Sequence, residues 1–150
     1  HTFACAKEKI MAADDVPVVV RSGEEDESYN SGGCIRVTGV GITNTPATKI
    51  WFGKVSNEPG YRSLPHHHAE CETGGMIFKG KGRIYFGEGY KEYVDMNEGD
   101  WVFVPPYMPH VEVNMSTTEE LIWLTMRTPD NIVVNLPDVD DSELEGYRRA

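Results

Sequence analysis

Three of the five histidines stand side by side in Pro65-His66-His67-His68-Ala69-Glu70-Cys71-Glu72-Thr73, beside two carboxylates and a thiol. A fourth arrives much later, at the end of Val104-Pro105-Pro106-Tyr107-Met108-Pro109-His110. Successive side chains on a strand point to opposite faces, so His66 and His68 share a face and His67 points away. Two imidazoles so placed grip a metal ion, and imidazole suits Zn, Cu, Fe and Ni alike. Two histidines make a weak site, which leaves His110 as the natural third ligand. A surface histidine run is the competing reading. An expression tag is not, because the run is internal and short.

The elements that must bring residues 66–68 and 110 together are short strands. Residues 16–20 (Val-Pro-Val-Val-Val) read as an edge strand. Residues 34–40, 49–55, 76–79, 83–86, 91–95, 101–104, 111–115 and 121–127 carry strand patterning, and residues 131–134 suit an outer strand. Turn chemistry separates them, as at Asn57-Glu58-Pro59-Gly60 and Asn97-Glu98-Gly99-Asp100. Strands recurring every ~8–12 residues are the rhythm of an antiparallel sandwich or barrel. Residues 1–15 read as an N-terminal arm, 16–136 as one β-barrel, and 137–150 as a tail forming a surface helix or a frayed end.

A chain of 150 residues supports one domain with a real core. The 15 glycines and 9 prolines are spread along it, which suits turns rather than a helical bundle. A formal net charge of −10 repels phosphate backbones, so a nucleic-acid partner is not expected. No apolar run approaches the ~18 residues of a membrane span, so no membrane partner is expected either. Three cysteines at unrelated spacings form no disulfide framework or CxxC pair, and the expectation is a reducing, cytoplasmic setting.

Two spaced motifs resemble those of the cupin superfamily. The first runs Gly, five residues, His, one residue, His, and here reads Gly60, residues 61–65, His66, His67, His68. The second runs Gly, five residues, Pro, one residue, Gly, two residues, His, three residues, Asn. Here it reads Gly99, residues 100–104, Pro105, Pro106, Tyr107, residues 108–109, His110 and Asn114, with Tyr107 in place of the inner glycine. The resemblance implies an all-β, double-stranded β-helix, a jelly-roll barrel in a single domain. It also implies one divalent metal at the barrel mouth bound by His66, His68 and His110, and by analogy a homodimer.

The family's first motif also carries a glutamate, and here two counts disagree. Forward from His68 it falls on Glu72; back from Gly80 it falls on Thr73. One residue flips the face of a strand, and a bulge at Gly74-Gly75 would reconcile the two. Glu72 is carried forward as a metal ligand and, with Tyr107, as a catalytic candidate. Arg36 and Arg127 sit in apolar strands and either meet a substrate carboxylate or face outward. Glu112 and Asn114 share the face of His110 and either orient a ligand or cap a turn. Cys71, three residues past His68, reads as a buried apolar group, with a thiolate ligand or a redox handle as the alternatives. Trp51, Phe52, Trp101, Phe103, Trp123 and Met126 are core or pocket wall.

Several three-histidine cupins are Fe(II) dioxygenases, and the resemblance implies that chemistry on a small-molecule substrate. Fe(II) is therefore the favoured cofactor, with Zn, Mn, Ni and Cu as alternatives. A redox-neutral isomerase or lyase is the second reading, strengthened if a carboxylate joins the donor set. A non-catalytic small-molecule or metal-binding module is the third.

Overall fold

The computed structural model describes residues 16–137 and 139–149. The expected arm, residues 1–15, lies outside the described residues.

The strands are β1 (Asp26–Glu27), β2 (Cys34–Val40), β3 (Trp51–Asn57), β4 (His66–His67), β5 (Glu72–Lys79), β6 (Gly82–Phe86), β7 (Glu92–Met96), β8 (Trp101–Val104), β9 (His110–Asn114), β10 (Leu121–Thr128) and β11 (Val134–Asn135). They form two antiparallel sheets, one ordered β1-β2-β3-β10-β5-β8 and the other β11-β4-β9-β6-β7. The two sheets together make a jelly-roll barrel. Residues 16–20 are not a strand; the proline at position 17 removes a ladder donor. No helix among the described residues is long and apolar enough to cross a membrane.

Alternation in the sequence explains the layering. Along β3, Trp51, Gly53, Val55 and Asn57 are buried and the residues between them are more exposed. Along β10, Leu121, Trp123, Thr125 and Arg127 are buried in the same way. Cys34, Trp51, Val55, Ile77, Ile84, Met96, Leu121 and Trp123 form the apolar core between the sheets. The polar members of the inward rows gather at one end of that core, and there the candidate site lies.

Strand β9 is buried at every residue. His110, Glu112 and Asn114 face in, while Val111 and Val113 pack outside with Tyr85, Tyr90 and Leu144. The C-terminal segment is thus neither a surface helix nor a frayed end. A 3-10 turn over Ser142–Leu144 seats Leu144 on the outside of β9. Arg62 donates to Asp141 at 2.7 Å, and the main chains of Arg62 and Arg148 are hydrogen-bonded.

Gly53 lies where β3 passes under its own Trp51. An added Cβ would meet the Val37 carbonyl oxygen and the Trp51 ring, whereas a Cβ on Gly74 meets nothing within 4 Å. Gly53→Ala should cost about 1–3 kcal/mol by overpacking, and Gly74→Ala should cost little. Urea denaturation of the two variants decides, and equal midpoints would refute the packing described.

Candidate metal centre

His66 and His110 are direct cross-strand partners where β4 meets β9. His68 follows two residues later, after the end of β4. All three rings are buried, and their centroids lie 4.4 to 5.1 Å apart. Glu112, two residues past His110 on the same face of β9, completes the group. One ligand atom from each of His66, His68, His110 and Glu112 lies within 4.8 Å of all the others. A divalent ion held at about 2.1 Å from each closes that span with small side-chain shifts.

The main chain sets the tautomers. His66 Nδ1 donates to the Leu64 carbonyl at 2.8 Å, His68 Nδ1 to Ile132 at 2.7 Å, and His110 Nδ1 to Met108 at 2.8 Å. A carbonyl only accepts, so each Nδ1 carries its hydrogen and each neutral ring turns a bare Nε2 lone pair inward. Glu112 approaches His66 Nε2 and His110 Nε2 at 3.4 Å each. Acceptors facing acceptors at that range call for a cation among them, and the donor set fits one.

Electrostatics keep the ligands ready. Burial drives His66 down to about 4, further lowered by His110 and Arg36 and only partly offset by Glu112. Burial and then Arg127 push His68 well below the ordinary histidine value. Burial works to raise Glu112, but the neighbouring His66 and Arg36 outweigh it and hold the carboxyl well below its usual range. At neutral pH, where His66 is uncharged, Arg36 is the charge that matters to it.

Two arginines complete the surroundings. Arg36 Nη2 reaches His66 Nε2 at 3.3 Å and Glu112 at 3.4 Å. Arg127 Nη2 donates to His68 Nε2 at 3.0 Å, its Nε to Thr73 Oγ1 at 3.1 Å and its Nη1 to Asn131 Oδ1 at 2.7 Å. Burial, and then the Arg36 charge, lower the Arg127 guanidinium to about 9, and it stays charged at neutral pH. Both arginines face in.

The two catalytic candidates lie elsewhere. Glu72 is exposed on the outer face of β5, and Thr73 is the inward residue. The pairings of β5 with β8 and β10 run without a shift at Gly74-Gly75, so no bulge rescues Glu72. The carboxylate of the cluster is Glu112, whose spacing from His110 was the signal in the sequence. Tyr107 is 61% exposed on a turn at φ 59°, which accounts for a glycine at this place in the family motif, and its ring lies near His67. Asn114 caps a turn, donating to the carbonyls of Asn57, Glu58 and Glu119. Cys71 is buried and donates to the Asp130 carbonyl. Of the core and pocket-wall candidates, Trp123 lines a cavity beside the cluster and Trp51 stacks on Arg127, while Phe52, Trp101, Phe103 and Met126 point outward.

The family model described as "Cupin domain" matches residues 53–127, which hold every residue of the four-membered cluster. The chain belongs to the cupin family. A glucose-6-phosphate isomerase of Thermococcus gammatolerans is 31% identical over 113 residues, which are 73% of this chain and 53% of that protein. An uncharacterized protein of Aquifex aeolicus is 39% identical over 59 residues, 39% of this chain and 46% of its own. This cupin spans about half the length of the curated relatives it matches. A deletion mutant of Bacillus subtilis oxalate decarboxylase superposes with a TM-score of 0.63 at 23% identity, over 75% of this chain and 30% of that one. An oxalate oxidase in complex with the substrate analogue glycolate gives 0.61 at 22%, over 71% and 56%. These two likenesses are of fold.

The depressed His66 links the cupin cluster to stability. The unfolded chain, with an ordinary value of 6.5, takes up a proton that the folded chain refuses until about 4. Stability from this ring is therefore fully present above the unfolded value and is lost as pH falls toward the folded one. Metal-stripped protein should lose roughly 3 kcal/mol from His66 between about pH 7.5 and about pH 4. Urea midpoints across that window measure it, and a flat profile would contradict a neutral, buried His66.

Proposed function

We propose that this cupin is a metal-dependent enzyme of small organic molecules, with one divalent ion held by His66, His68, His110 and Glu112. The observation that carries the reading is the convergence of three main-chain-oriented Nε2 atoms on an ionised carboxylate. A divalent ion bound there supplies a Lewis acid for a carbonyl, hydroxyl or water. The chain's own part is to hold the rings neutral, keep Glu112 charged and surround the reacting group with an apolar wall.

Redox-neutral chemistry, an isomerisation above all, is the favoured reaction. Its support is the carboxylate in the donor set, whose oxygen suits Mn and Zn as well as iron, together with relatives named as isomerases. An Fe(II) dioxygenase is the second reading, supported by the three imidazoles.

Elemental analysis of untagged protein should find about one ion per chain. His68→Ala and Glu112→Ala should lose it, and His67→Ala and Glu72→Ala should keep it. Retention by Glu112→Ala together with loss by Glu72→Ala would overturn this ligand set. Turnover of α-hydroxycarbonyl compounds by the Zn- or Mn-loaded protein without oxygen supports isomerisation, whereas oxygen uptake only with iron selects the second reading.

The proposed assembly is a homodimer through the outer face of the six-stranded sheet. Trp101, Phe103, Phe78 and Met126 lie exposed there on β8, β5 and β10, and Met76 and Leu124 continue the face. β8 is the edge of that sheet. Two copies of a chain with net charge −10 repel each other over most of their surface, so this apolar patch is where they can approach. Light scattering should give a dimer for the wild type and a monomer for Trp101→Glu/Phe103→Lys. A monomeric wild type would rule this interface out.

A further inference from the structure

Arg127 is 2% exposed and has no carboxylate partner among the described residues. Its three nitrogens donate to a hydroxyl, an amide oxygen and an imidazole, all neutral. Arg36, 1% exposed, shares Glu112 with two histidines, and its Nε has no partner among the described residues. A buried guanidinium without an anion is costly, and here two guanidinium groups stand beside one carboxylate.

The lone pairs used by these arginines are the ones a metal needs. Arg36 Nη2 donates to His66 Nε2 and Arg127 Nη2 to His68 Nε2. An ion coordinated by those nitrogens takes both acceptors away, leaving Arg127 Nη2 without one and Arg36 Nη2 with Glu112 alone, a carboxylate the ion also draws on. It also adds two positive charges to a pocket that already has one in excess. A cavity of about 20 Å³, lined by Thr73, Thr125, Arg127, Glu112 and Trp123 among others, lies against the cluster. It is scaled to about one water or one anionic oxygen. The Trp123 indole N–H, buried, has no hydrogen-bond partner among the described residues. The cavity's wall is otherwise apolar, with Val55, Ile84, Val102 and Val104, so among the described residues Arg127 is the one cationic group that lines it.

We infer that the site binds a small oxyanion as the synergistic partner of its metal, seated between the ion and the Arg127 and Arg36 guanidinium groups. The inference rests on the metal reading and deepens it: the substrate class is a compact carboxylate or phosphate bearing its reactive carbon next to the anionic group. The anion restores to Arg127 and Arg36 the acceptors that the metal removes, so each ligand strengthens the other. With the metal absent, the histidines stand in for the anion.

The test is a competition titration of metal-stripped protein with Zn²⁺ against a chromophoric chelator. It is run in chloride buffer alone, with acetate, and with inorganic phosphate. Acetate, phosphate or both should tighten the metal about tenfold or more, the scale of a hydrogen bond to a charged group; which of them does so identifies the oxyanion. Arg127→Met should bind metal more tightly than wild type in chloride and respond little to either anion. Where melting curves show that Arg127→Met does not fold, Arg36→Met takes its place. Metal binding by the wild type that ignores both anions overturns this inference and leaves the metal reading intact, as does a variant that keeps the full anion response. Absence of metal uptake in every buffer overturns both.

Discussion

Three hydrogen bonds from imidazole Nδ1 atoms to main-chain carbonyls govern this protein's chemistry. Leu64, Ile132 and Met108 supply the carbonyls, so the ring orientations are fixed by backbone rather than by other side chains. Leu64 and Met108 each precede their histidine by two residues, and these contacts are local. The Ile132 contact joins His68 to the segment between β10 and β11, so the third ring is set only once the barrel has closed. Folding and the assembly of the ligand set are therefore one event. Without those bonds each ring would be free to turn Nδ1 inward and bring a hydrogen where a lone pair is needed.

The same strand that supplies His110 and Glu112 is buried at every residue. Its inner face carries polar groups, which contribute little hydrophobic stabilisation. Its outer face carries Val111 and Val113, covered by Leu144 and the aromatic side chains around it. The C-terminal segment thereby compensates β9 for a polar interior. Arg62 and Asp141 tie that segment down. A polar site inside a barrel this size requires apolar burial on the reverse side of the strand that bears it.

Much of this was legible in the sequence, and the failures have physical causes. Strand positions followed from period-two alternation, and His66, His68 and His110 from parity and motif spacing. The proline at position 17 was read as permitting an edge strand, yet residues 16–20 pair with nothing among the described residues. The fourth group was missed because the motif draws attention to β5, whereas the carboxylate stands on β9 at the same parity as His110. Arg36 and Arg127 could be placed only as inward or outward. A buried arginine and a solvated one look alike until the neighbouring strands fix the register. Tyr107 attracted attention because it replaces a glycine, but the replacement reports a backbone at positive φ rather than a side chain at work.

The exchange of carboxylate between strands has an electrostatic consequence. Thr73 is the inward residue of β5 at the place where the family motif can carry glutamate, and it is the register partner of Arg127 on β10. A glutamate there would lie beside the Arg127 guanidinium and neutralise it. Thr73 instead offers one hydroxyl to Arg127 Nε and leaves the charge whole. Glu112, displaced to β9, pairs with Arg36 and faces His66 and His110. The number of carboxylates at the centre is unchanged by the move, but one arginine that would have had an acidic neighbour now lacks one. Placing the single carboxylate on β9 rather than on β5 leaves the summed charge the same but decides which guanidinium lacks an acidic neighbour, and here that is Arg127.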